Sequence, residues 1–173
     1  LLRLWLERQN VYPLLNQRQV QQVMSDVVAA QEDAEPVYRW QDNEIRRYAG
    51  RLYLMKALSG KNAVHNKGIK FSGEPVKFAA GMISVMPRSE ESEDFGLRPG
   101  EYLIEAYKGS LAVRPFKRST KSLKKWFQEY GIPPWQRASW PVLMSNDDVV
   151  AVPGLFVCDG YQALKGWHLE FHI

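Results

Sequence analysis

Seven cations, Lys108, Arg114, Lys117, Arg118, Lys121, Lys124 and Lys125, stand between positions 108 and 125 without one carboxylate among them. Side chains of that type and density suit one chemistry above others, the binding of a polyanion through its phosphates. With residues after Ser119 helical, at about 100° per residue, Lys121, Lys124, Lys125 and Gln128 share one face. Leu123, Trp126, Phe127 and Tyr130 take the other and read as core rather than as stacking platforms, while Trp135 and Trp140 stay undecided. Ser119 is the expected N-cap, and Gly131 with Pro133 and Pro134 beyond it is the expected stop. Arg114, Lys117 and Arg118 then arrive from a strand where the helix exposes its first free N–H groups, which makes a phosphate seat. Three lysines in the first turns oppose the helix dipole, so local helix stability does not account for them. The blander reading is an amphipathic helix with its lysines in water. The lack of a compensating carboxylate favours nucleic acid.

Other chemistries find less support. His168, Glu170 and His172 alternate along the last strand and could ligate a metal from one face. A polar face opposite Trp167, Leu169, Phe171 and Ile173 is the simpler reading, and no metal is expected. Ser59-Gly60-Lys61-Asn62 lacks the earlier glycine and the following hydroxyl of a phosphate loop. No Gly-x-Ser-x-Gly elbow is present, His65 has no evident partner, and Glu90, Glu91, Glu93 and Asp94 read as a solvated loop. No catalytic residue is expected.

The elements that must position the cations follow from pattern and length. With 173 residues, 45% of them hydrophobic, the chain can bury one substantial core or two small ones. No apolar run approaches a membrane span, and the single Cys158 fits a reducing compartment, so the cytoplasm is the default. Helical sequence is already under way at Leu1, and part of a longer protein is expected. Charge is uneven: residues 51–138 carry sixteen basic and eight acidic groups, residues 139–173 one and four. Leu1, Leu4 and Trp5, then Val20, Val23, Met24, Val27 and Val28, recur at helical spacing on either side of Tyr12-Pro13, with Asn16 and Gln19 placed as a capping box. Strands follow at Val37–Gln41, Glu44–Tyr48 and Arg51–Met55 as a meander. Ser59 to Pro75 reads as a long loop.

Further strands are expected at Val76–Ala79 and Met82–Met86, in a hairpin of Glu101–Tyr107 with Leu111–Phe116, at Val142–Ser145 and Val149–Val152, and at Leu155–Cys158 and Trp167–Ile173. The fold class is α+β: a helical hairpin with a small antiparallel meander over 1–75, then a mostly β domain over 76–173 carrying one main basic helix.

The stretch KSLKKWFQEYGIPPWQR, followed by WPVL and VVAVPGLFV, resembles the C-terminal domain of the tRNA(Ile)-lysidine synthase family. LLRLWLERQNVYP and EIRRYAGRLYLM resemble that family's substrate-binding domain. The resemblance implies an ATP-dependent ligase that adenylates the wobble cytidine of an isoleucine tRNA and couples lysine to it. It places the Ser-Gly-Gly-x-Asp-Ser loop, with ATP and Mg, in a separate N-terminal domain; no such motif occurs here, so no cofactor is expected in these residues. It implies tRNA as partner, gripped at the acceptor stem, with neither DNA nor membrane. The RNA-contacting set is then Arg114, Lys117, Arg118, Lys121, Lys124, Lys125 and Arg137. A-form stems are recognised through phosphates, 2′-hydroxyls and shape, which suits a cationic helix. Ala138 and Ser145-Asn146 depart from the family pattern at two turns. The rival from another class is a non-catalytic interaction module whose basic helix pairs with an acidic partner.

Overall fold

The capping box forms where the sequence places it. The Asn16 side chain accepts from the Gln19 N–H at 2.9 Å, and the Gln19 side chain accepts from the Asn16 N–H at 2.9 Å. The computed structural model describes residues 1–31, 34–57, 68–79, 81–86, 94–107 and 111–172, and the chain divides into two compact units, Leu1–Asn62 and Ala63–Ile173. In the first unit, helix α1 (Leu2–Arg8) precedes α2 (Gln17–Val23), which runs on as a π-helical turn over Met24–Val28. Leu6, rather than Leu1 or Leu4, is the buried residue of α1; it packs with Leu15, Val23, Val27, Trp40 and Ile45.

The meander is formed by β1 (Val37–Trp40), β2 (Asn43–Tyr48) and β3 (Arg51–Lys56), all antiparallel. Its two faces differ in chemistry. Ile45 joins the apolar core, whereas its neighbour Glu44 is buried and accepts from Arg39 at 3.1 Å and Arg46 at 2.8 Å. Arg39 lies directly opposite Glu44 across the β1–β2 pair, and Arg46 two residues along β2, where alternation returns it to the same face.

The second unit is built on short strands. In chain order they are β4 (Ile69–Phe71), β5 (Val76–Phe78), β6 (Gly81–Val85), β7 (Phe95–Leu97), β8 (Tyr102–Ala106), β9 (Ala112–Val113) and β10 (Lys121–Ser122). Helices α3 (Leu123–Glu129) and α4 (Pro134–Arg137) come next, then β11 (Pro141–Ser145), β12 (Asp148–Val152), β13 (Phe156–Val157), β14 (Gln162–Leu164) and β15 (Leu169–His172). A five-stranded sheet ordered β13-β12-β11-β8-β4 is flanked by a three-stranded one, β15-β6-β5, and by the ribbons β10-β9 and β14-β7. Strand β11 is buried on both faces: Leu143 enters the core shared with Phe78, Ile83 and Ile104, while Val142 and Met144 meet Leu123, Trp126 and Phe127 of α3. This is the expected α+β class.

Three expectations change. The hairpin of 101–107 with 111–116 does not form, because β8 takes β4 and β11 as neighbours and β9 takes β10. Residues 69–71 of the expected long loop are a strand whose Phe71 is buried; that strand belongs to the second unit, ahead of the boundary expected at 75. Tyr130 is exposed rather than core. Ser59-Gly60-Lys61-Asn62, His65, Glu90, Glu91, Glu93 and Lys108 lie outside the described residues.

Candidate nucleic-acid interface

Within the basic segment, residues 115–118 form a tight turn, and the chain becomes helical only after Ser122. Arg118 N–H closes a turn onto Pro115 O at 2.9 Å, with Lys117 in the left-handed region at φ 59°. A non-glycine residue is uncommon there. Lys117 places its amine 5.1 Å from the Phe116 ring centroid and 5.7 Å from that of Phe95. Lys121 and Ser122 then pair with Val113 and Ala112. The N-cap is therefore Ser122, not Ser119, because the ribbon holds residues 121–122 extended before Leu123 can enter the helix. The phosphate seat expected at Ser119 is not formed.

Helix α3 ends as the sequence requires. Gly131, at φ 68°, donates to Gln128 O at 3.0 Å, and Ile132 donates to Phe127 O at 2.8 Å. These are the two hydrogen bonds of a Schellman stop, in which a glycine takes the left-handed position. Within the helix Leu123, Trp126 and Phe127 have no exposed surface, and the Trp126 indole N–H donates to Val113 O at 3.3 Å.

The predicted cations fall into groups. Lys124 and Lys125 are exposed and have no ion-pair partner among the described residues. Lys121 lies 4.7 Å over the Trp126 ring and is ion-paired with Glu129. Arg118, 5.1 Å over the same ring, meets Glu129 at 3.5 Å. Arg114 meets Asp159 at 3.4 Å. The carboxylates missing from the sequence window are thus supplied in space. Glu129, the one acidic residue of α3, is legible just beyond the window; Asp159 reaches Arg114 from beyond β13, with no local signal. Arg137 leaves the predicted set, since it is 7% exposed and its Nε–H donates to Ile132 O at 2.8 Å, tying α4 to the end of α3.

The other chemical candidates lie outside the basic segment. His172 and Glu170 contact each other at 2.6 Å, and no group of three metal-ligating side chains occurs among the described residues. His168 instead lines a hollow of about 630 Å³ with Trp167, Leu169 and Phe95. Cys158 is buried, and burial, reinforced by Asp148 and Asp159, pushes its thiol up to about 12. A thiol held that high stays protonated near neutrality and is a poor nucleophile. Among the described residues no helix is long and apolar enough to cross a membrane.

Two family models match the chain, the TilS substrate binding domain over residues 1–53 and the TilS substrate C-terminal domain over residues 104–171. The chain belongs to the TilS family. The second TilS match runs from β8 into β15 and spans the whole cationic segment. Among relatives, the tRNA(Ile)-lysidine synthase of Coxiella burnetii is 32% identical over 174 residues, covering 98% of this chain and 38% of that protein. The tRNA(Ile)-lysidine synthase of Salmonella typhimurium is 31% identical over 169 residues, covering 91% and 36%. The chain therefore spans well under half the length of these TilS relatives. A solved TilS C-terminal domain aligns with 61% of this chain and 97% of its own, at 21% identity and a TM-score of 0.45.

Proposed function

We propose that these 173 residues form the tRNA-gripping part of a lysidine-forming ligase, and that Arg114, Lys117, Arg118, Lys121, Lys124 and Lys125 face the RNA backbone. The observation that carries the reading is the pair Lys124 and Lys125, exposed on the outer face of a helix whose inner face is locked by Trp126 and Phe127. Exposed cations on a packed helix, without counter-ions among the described residues, are placed for phosphates. The relatives named as tRNA(Ile)-lysidine synthases supply the RNA class, an isoleucine tRNA. Adenylation of cytidine and coupling of lysine, with ATP and Mg, are assigned to the greater length those relatives carry. The acceptor stem is the proposed contact and the cytoplasm the proposed site of action.

Replacing Lys124 and Lys125 together by glutamine tests this. The expected result is weaker tRNA binding and a log affinity against log salt that is flatter by about 0.7 to 0.9 for each phosphate the variant no longer neutralises. The thermal midpoint should stay unchanged, since neither side chain packs. Unaltered affinity across salt would show both lysines to be mere solvated surface and would favour an acidic protein as the partner.

A further inference from the structure

Beside the cationic turn lies a hollow of about 240 Å³ with aromatic walls. Phe95, Phe116, Tyr130 and Phe156 line it together with Arg118 and Gln162. The rings come in two pairs: Phe95 and Phe116 with centroids 5.1 Å apart, Tyr130 and Phe156 with centroids 5.8 Å apart. Phe95 is 47% and Tyr130 40% exposed, so aromatic surface faces water where a core would hide it. The Lys117 amine caps the first pair, and Arg118 stands in the wall. The Gln162 Oε1 is shielded from solvent and has no hydrogen-bond partner among the described residues.

Exposed aromatic surface at Phe95 and Tyr130, with Lys117 and Arg118 beside it, fits an unpaired nucleotide. A base inside a duplex presents no free face to such a hollow. An acidic peptide would engage the cations and leave the rings idle. We propose that this hollow takes an unpaired base from the 3′ end of a tRNA, stacked against the aromatic pairs, its phosphate beside Lys117 and Arg118. The 3′ tail is the choice because it continues from the acceptor stem, the contact proposed above. The proposal rests on the tRNA reading above.

The test compares the whole chain with Phe95→Ala/Tyr130→Ala, each titrated with an isoleucine tRNA and with the same tRNA lacking its unpaired 3′ nucleotides. Stacking of one base on aromatic side chains leads to an expected loss of about tenfold or more when the tail is removed from the parent complex. The double variant should bind intact tRNA as weakly as the parent binds the shortened one, and shortening should then cost it nothing. Equal affinity of the parent for both RNAs would overturn the pocket and leave the tRNA reading standing. A variant that loses as much on the shortened RNA as on the intact one would show that the rings serve the fold, which also overturns it. Failure of the parent to bind either RNA would remove the tRNA reading itself.

Discussion

Trp126→Ala is expected to destabilise the second unit by about 3–5 kcal/mol, as a large aromatic removed from a closed core. Trp126 has no exposed surface and packs on Phe156 and Tyr130 at centroid distances of 5.8 and 6.5 Å. Its indole N–H also ties α3 to Val113, the strand partner of Lys121. Two of the cations rest on its face, so the substitution takes away their shelf along with the core. Denaturant unfolding followed by far-ultraviolet circular dichroism measures the effect. Trp126→Phe should recover much of it, because the ring persists while the hydrogen bond does not. A change below about 0.5 kcal/mol for the alanine variant, the scale of ordinary surface substitutions, would contradict the packing described.

Glu44→Ala should cost about 3 kcal/mol in the first unit, near the lower end for breaking a buried ion pair, because Arg39 is exposed enough to return to water while Arg46 is not. The same carboxylate gives this unit an acid sensitivity. Burial pushes Glu44 up, but hydrogen bonds and charge from Arg46 and Arg39 outweigh it, and the net direction is below the ordinary value of 4.5. Stability from a depressed carboxylate is fully present above 4.5 and lost as pH falls through the folded value. Thermal melts at neutral pH and at several points below 4.5 should show the parent losing more than Glu44→Gln over that acidic window. Parallel pH profiles for the two proteins would rule out this origin.

Local signals are legible in the sequence and distant partners are not. The Asn16 and Gln19 box, the Gly131 stop and the burial of Trp126 and Phe127 each depend on residues within a turn or two of one another. The meander is legible for the same reason, its strands joined by short turns. Strand β8 is visible as a strand, yet its neighbours are not, since its pairing with β11 is set by Leu143 and Ile104 meeting in a core assembled from elsewhere. Strand β4, three residues long, is too short to show a period. At the candidate interface, the cations are legible by type and the ion pairs are not, because Asp159 and Glu129 lie outside the window that holds the cations. Phe95, Phe116 and Phe156 give no sign of converging, being drawn from three separate segments.

The double engagement of Glu129 bears on residence time. With Lys121 and Arg118 both leaning on that one carboxylate, a phosphate arriving as proposed above competes with an anion already in place. Each interaction made on arrival is an exchange of partners, and each departure is met by a returning counter-ion. On the tRNA reading proposed above, a surface arranged so favours fast exchange over long residence. Glu129→Gln is accordingly expected to lengthen the lifetime of the tRNA complex, read as a slower dissociation rate in a chase with unlabelled tRNA, and a faster or unchanged rate would show that the carboxylate serves the fold alone.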